Sequence, residues 1–213
     1  MLKTIPSFSY EYLFEEQGYT LIAGVDEVGR APLAGPVAAG AVILDISAHD
    51  GWLEEVRDSK LLSARTRQKL ESVIQREAIA WGVGMVSNAD IDDFGISRAT
   101  RLAMKKAISQ LVIEPQAILI DYIRLPEVNL PQMGITHGDS LSFSIACASI
   151  IAKVARDRLM EEMDERYPGY GFSRNKGYPT REHLCSLENI GPCPIHRLSF
   201  HPLKPQLGIN DDF

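Results

Sequence analysis

The chain has 213 residues, enough for one sizeable domain with a buried core. Apolar residues make up 45% and charged residues 23%, as in ordinary globular proteins. A formal net charge of -6 and a pI of about 5.4 argue against indiscriminate electrostatic binding to nucleic acid. They leave room for a local basic groove, because charges beyond roughly 10 Å are largely screened at about 0.1 M salt.

The three cysteines are Cys147, Cys185 and Cys193, an odd number without a C-x-x-C, so neither a disulfide framework nor a zinc knuckle is indicated. Cys147 lies in the apolar run Ile145-Ala146-Cys147-Ala148, which predicts a buried thiol. The N-terminal stretch carries acids where a signal peptide would be apolar. The longest strongly apolar stretch, residues 145–152, is far shorter than the roughly 20 residues a membrane helix needs. No membrane association and a reducing, cytoplasmic setting are therefore expected.

Residues 1–18 read as an N-terminal extension, packed by Tyr10 and Tyr12. Residues 19–25 are apolar and bounded by turn signals, which predicts a buried strand. Residues 37–44 predict a second strand, reached through Gly29, Pro32, Gly35 and Pro36, and the two are expected to pair antiparallel. Ser63 is a good N-cap, and Leu70, Val73 and Ile74 then follow helical spacing. Trp81, Val83 and Met85 alternate with Gly82 and Gly84 as in a strand. A second helix is expected over 97–111, and a short apolar strand over 117–120 runs straight into Asp121. The longest helix is expected over 140–166, small and apolar at first and heavily charged from Arg156. Pro179-Thr180 opens a last helix that Gly191-Pro192 ends. Strands first and then alternation of strand and helix fit an α/β mixed sheet with helices on both faces. The expected division is an extension at 1–18, one domain at 19–202 and a tail at 203–213.

Asp26-Glu27 follows directly on the first predicted strand, and Asp121 sits at the tip of another. Asp139 precedes the long helix, where it also suits an N-cap. In open sheets, functional groups collect beyond the carboxyl ends of strands. If the first strand and the one ending at Asp121 are neighbours, Asp26, Glu27 and Asp121 meet at one edge, with Asp139 nearby. Several carboxylates in one cleft repel each other unless a cation sits among them. Oxygen-only ligands suit Mg²⁺ or Mn²⁺ rather than zinc. Two such ions about 4 Å apart activate a water and stabilise the leaving oxygen in phosphodiester hydrolysis. Spacing alone thus reaches metal-dependent phosphoryl chemistry.

The segment Gly24-Val25-Asp26-Glu27-Val28-Gly29-Arg30-Ala31-Pro32-Leu33-Ala34-Gly35-Pro36-Val37 resembles the signature of prokaryotic ribonuclease HII, the type 2 ribonuclease H family. Asp58-Ser59-Lys60 resembles the family's D-S-K segment, and Asp121 with Arg124-Leu125-Pro126 its third acidic motif. Gly138-Asp139-Ser140 and the run from Ala148 to Asp157 resemble its fourth. Tyr170-Gly171-Phe172, Asn175-Lys176-Gly177-Tyr178-Pro179-Thr180 and His183 resemble its fifth, and His196-Arg197-Leu198-Ser199-Phe200 its C-terminal end. The likeness covers roughly residues 19–202.

The resemblance implies a ribonuclease H-like fold, a five-stranded mixed sheet flanked by helices with a C-terminal helical segment. It implies that Asp26, Glu27, Asp121 and Asp139 are catalytic carboxylates that bind Mn²⁺ or Mg²⁺, two ions in the catalytic complex. The implied partners are RNA–DNA hybrids and ribonucleotide-containing duplex DNA, cut on the 5′ side of a ribonucleotide to leave a 3′-hydroxyl and a 5′-phosphate. The implied roles are ribonucleotide excision and RNA primer removal, and the chain is expected to act as a monomer. Telling RNA from DNA requires sensing the 2′-hydroxyl. The backbone of Gly29-Arg30-Ala31 is expected to reach that sugar, and Tyr178 resembles the family tyrosine that packs on it. Lys60, Arg30, Lys176 and Arg181 are candidate phosphate contacts. Residues 171–204 hold five Lys/Arg (Arg174, Lys176, Arg181, Arg197, Lys204) against two acids (Glu182, Glu188), the expected duplex-binding rim.

Two positions depart from the family pattern: Ala31 replaces a usual glycine, and His137 a usual lysine. His137 is read as a surface or supporting residue rather than a base. The competing readings are another metal-dependent nuclease of the same fold, which would lack the Gly29-Arg30 loop and the Tyr178 motif, and a non-catalytic binding relative, which would lack an acid. A P-loop hydrolase is disfavoured by the absence of G-x-x-x-x-G-K-[ST].

Overall fold

The structure, a computed structural model, describes residues 5–47 and 51–203. The first four residues of the expected extension, and Lys204 with the rest of the expected tail, lie outside the described residues. Strands β1 (Ile22–Val28), β2 (Val37–Ile43), β3 (Ala80–Val86), β4 (Ala117–Asp121) and β5 (Gln132–Ile135) form one five-stranded sheet in the order β3-β2-β1-β4-β5. β1 pairs antiparallel with β2 and parallel with β4; β2 and β3 are antiparallel, β4 and β5 parallel. The expected mixed sheet and antiparallel first pair are observed.

The first strand differs from the sequence reading. It runs to Val28, so Asp26 and Glu27 lie inside it rather than after it, paired with Gly40 and Ala39 of β2. Backbone pairing with β2 extends the strand through two residues whose side chains disfavour it. β5 was not expected. Its four residues alternate poorly, and parallel pairing with β4 rather than a local pattern makes it a strand.

Helices cover both faces. Helix α1 (Ser9–Glu15) lies in the expected extension. Phe8 and Phe14 bury it, whereas Tyr12 stays exposed. The buried Glu11 carboxylate accepts from Ser142 Oγ at 2.7 Å and Ser144 N at 3.0 Å. Helix α2 (Ala64–Glu77) is capped by Ser63, as expected, and α3 (Asn88–Phe94) is a short acidic helix with no apolar stripe to announce it. Helix α4 (Ile96–Ser109) puts Ala99, Ala103, Met104 and Ala107 on one face of the sheet. Helix α5 (Phe143–Arg166) covers the other. It starts three residues later than expected because Ser142, not Asp139, accepts from the helix amide at Ile145. Its small residues let it approach closely: a Cβ on Gly40 would stand 2.3 Å from the Ala148 carbonyl oxygen. The short helix α6 (Phe172–Asn175) and α7 (Arg181–Ile190), capped by Thr180, complete the C-terminal helical segment.

Candidate active site

Neighbouring parallel strands β1 and β4 end together, and this brings three acids to one edge. Asp26, Glu27 and Asp121 each offer a carboxylate oxygen, all within 4.8 Å of one another. Asp26 is buried; its Oδ1 accepts from the Glu27 amide at 2.7 Å. Asp121 Oδ1 accepts from the Gly138 amide at 2.7 Å. Asp139, buried in a short 3-10 turn over Gly138–Ser140, does not belong to that group of three. Its Oδ2 accepts from Lys60 Nζ at 3.2 Å.

The electrostatics record the crowding. Burial, then the charges of Glu27, Asp121 and Asp139, push the Asp26 carboxyl well above the usual range. Burial also raises Glu27, more than the nearby Arg30 lowers it. Burial raises Asp121, against the Gly138 hydrogen bond and with the push of Asp139. Burial works to lower the Lys60 ammonium, but the charges of Asp139 and Asp58 outweigh it and hold it above its ordinary value. Lys60 and Arg30 pair with Asp139 and Glu27, whereas Asp26 and Asp121 have no ion-pair partner among the described residues. An oxygen-only set so close and so repulsive fits a hard divalent cation.

The predicted substrate-reading residues flank these acids. Gly29 follows β1, at a φ of 90° that favours glycine, and a Cβ there would overlap Arg156 Nε at 2.2 Å. Arg30 Nη1 lies 3.6 Å from Glu27 Oε1, and Ala31 is exposed. The Leu33 amide donates to the Gly177 carbonyl at 2.8 Å, which ties this loop to the segment carrying the partly exposed Tyr178.

Four residues of these motifs support that loop, and three of them, Arg156, His183 and His196, received no role from sequence. Arg156 is fully buried and donates to the carbonyls of Pro36, Lys176 and Ala34 at 2.9, 2.9 and 3.0 Å. Arg197, also fully buried, donates to those of Gly35, Arg30, Gly29 and Pro36 at 2.9, 2.9, 2.6 and 3.1 Å. Beneath Tyr178, the Cys193 amide donates to His196 Nδ1 at 2.9 Å, His196 Nε2 meets His183 Nε2 at 3.0 Å, and His183 Nδ1 meets the Tyr178 carbonyl at 2.9 Å. A backbone amide can only donate, so these partners assign a proton to His196 Nε2 and to His183 Nδ1, with both rings neutral. The available signal was arginine and histidine inside otherwise aromatic or small-residue runs.

The expected basic rim is corrected in part. Arg197 faces inward rather than toward solvent, Arg174 pairs with Glu182, and Lys176 pairs with Glu161 at 2.6 Å. The charge of Arg197 is spent on internal carbonyls, whereas Arg174 and Glu182 form an exposed surface pair.

Comparison with known proteins agrees with this geometry. The family profile described as Ribonuclease HII matches residues 23–203. A Ribonuclease HII from Dehalococcoides mccartyi is 52% identical over 199 residues, covering 93% of this chain and 94% of that protein. Among solved structures, the ribonuclease H2 of Pyrococcus horikoshii superposes with a TM-score of 0.72 at 27% identity, over 85% of this chain and 94% of that one. The ribonuclease HII in a PCNA complex from Archaeoglobus fulgidus gives 0.70 at 27%, over 91% and 100%. The chain belongs to the ribonuclease HII family and is a ribonuclease H, a metal-dependent hydrolase acting on RNA–DNA hybrids.

Proposed function

We propose that this enzyme cuts on the 5′ side of ribonucleotides, in RNA–DNA hybrids and at single ribonucleotides within duplex DNA, leaving a 3′-hydroxyl and a 5′-phosphate. Its roles are ribonucleotide excision and RNA primer removal. The observation that carries this reading is the approach of the Asp26, Glu27 and Asp121 carboxylates to within 4.8 Å, one residue from the Gly29-Arg30-Ala31 loop.

Asp26, Glu27 and Asp121 hold Mg²⁺ or Mn²⁺, with Asp139 as the fourth carboxylate. When bound, two such ions would supply an activated water and stabilise the leaving oxygen. The chain's own residues do the rest. Backbone amides at Glu27 and Gly138 orient Asp26 and Asp121. Lys60 orients Asp139 and offers positive charge to a backbone phosphate. The amides of Gly29, Arg30 and Ala31 read the 2′-hydroxyl, and the Tyr178 ring packs on the adjoining sugar. Arg156 and Arg197 keep that loop in place by engaging its carbonyls.

A labelled duplex with one ribonucleotide tests the reading beside an all-DNA duplex. The expected product is a single cut 5′ of the ribonucleotide with an extendable 3′-hydroxyl. A cut in the all-DNA duplex, or on the 3′ side, would overturn it.

A further inference from the structure

Outside glycine, three described residues have positive φ: Tyr122 at 64°, His137 at 59° and Lys176 at 52°. Tyr122 follows Asp121 directly. The Ile123 amide donates to the Asp121 carbonyl at 2.7 Å, so Tyr122 is the centre of a three-residue turn. With positive φ, that turn is the rare and strained form. It has a use: it ends β4 abruptly at Asp121, while the Tyr122 amide still donates to the Ile135 carbonyl at 2.9 Å. Glycine would make the same turn without strain.

Packing does not account for a tyrosine here. Tyr122 is 69% exposed, belongs to no core cluster, and has no side-chain hydrogen bond or ring contact among the described residues. Strained residues that persist without packing gain cluster at functional sites. The topology gives this one a defined place. Tyr178 joins the loop between β1 and β2, whereas Tyr122 ends β4 on the β5 side. The carboxylates at the ends of β1 and β4 therefore lie between the two tyrosines. His137, also exposed, stands just beyond Ile135 on the Tyr122 side.

We propose that Tyr122 forms a second aromatic subsite, on the flank of the acids opposite Tyr178, where its ring stacks on a nucleobase of the substrate strand. Every base has a π-face, so such a platform adds affinity without reading sequence. The inference rests on the reading of the acids as the cleavage site, but its test does not depend on cleavage.

The test is fluorescence anisotropy of a labelled RNA–DNA hybrid in EDTA, with melting temperatures measured alongside. Tyr122→Gly should raise Kd about fivefold to a hundredfold, the loss of one base stack. Its melting temperature should equal or exceed the parent's, because glycine accepts the turn. Tyr122→Phe, which keeps the ring, should bind like the parent. A Kd for Tyr122→Gly within twofold of the parent's would overturn the proposal. So would a Tyr122→Gly protein that melts well below the parent, since the ring would then serve the fold. Loss of hybrid cleavage by the parent would count against the function proposed above and leave this binding result standing.

Discussion

His183 Nε2 lies 3.0 Å from His196 Nε2, and both rings are buried. With the Cys193 amide donating to His196 Nδ1, the contact is made by two neutral rings, and two imidazoliums would face each other with protons and charge. Burial, more than the neighbouring His183, pulls His196 down to about 4, and burial lowers His183 as well. The unfolded chain takes up protons near pH 6.5, whereas the folded pair does not until pH falls further. The histidine pair's contribution to stability should therefore be constant above about pH 7 and fall between about 6.5 and 4, by up to about 3 kcal/mol for His196, while the raised carboxyls of Asp26, Glu27 and Asp121 work in the opposite direction. Melting curves of the parent and of His196→Gln at pH 8, 6 and 4.5, read as their difference, check this. His196→Gln should flatten the decline, and an equally steep decline in that variant would contradict the assignment.

Arg197 makes a separate prediction. Its guanidinium spans four carbonyls of the loop that begins at Gly29. Arg197→Met leaves those acceptors without their donor and should cost about 3 kcal/mol. For a chain of this size that lowers the melting temperature by about 6–12 °C. Arg197→Lys should not restore it, because an ammonium cannot reproduce the planar fork. A melting temperature within about 2 °C of the parent's in Arg197→Met would show that the loop holds its shape without this residue.

The resemblance implies a glycine at the position of Ala31, and the environment of Ala31 accepts the methyl. Ala31 is not among the residues with positive φ, and it is exposed. The following Pro32 biases it toward extended angles that alanine adopts readily. Ala31→Gly should change cleavage at a single embedded ribonucleotide by less than about tenfold, or about 1.4 kcal/mol. Side-by-side rates on that duplex and on a long hybrid decide it. A larger gain confined to the single-ribonucleotide substrate would show that the methyl hinders the sugar.

Much of this was legible in the sequence, for identifiable reasons. The apolar runs over β1, β2 and β4 are buried strands, which announce themselves by composition, and Ser63 and Thr180 cap helices as side-chain chemistry dictates. The meeting of Asp26, Glu27 and Asp121 was readable because each follows an apolar run, and neighbouring parallel strands bring the ends of those runs together. β5 and α3 were not, since pairing with β4 and the clasp of Asp92 on the Leu198 and Ser199 amides, rather than local pattern, fix them. The inward turn of Arg197 was hidden for a related reason: carbonyls distant in sequence solvate its charge, and a charge count sees only a basic residue. The left-handed turn at Tyr122 leaves no mark in composition at all.

The central claim is that Asp26, Glu27 and Asp121 hold the divalent ion on which hydrolysis depends. Calorimetric titration with Mn²⁺ at pH 7, paired with hybrid cleavage assays, tests it most directly on the parent and on an Asp26→Asn, Asp121→Asn double variant. The parent should bind the ion, lose cleavage in EDTA and regain it with Mg²⁺ or Mn²⁺. The double variant should lose binding and cut slower by orders of magnitude. Without metal it should melt no lower than the parent, because two mutually repelling charges are gone. A double variant that binds Mn²⁺ like the parent, or a parent that cuts the hybrid at full rate in EDTA, would contradict the claim.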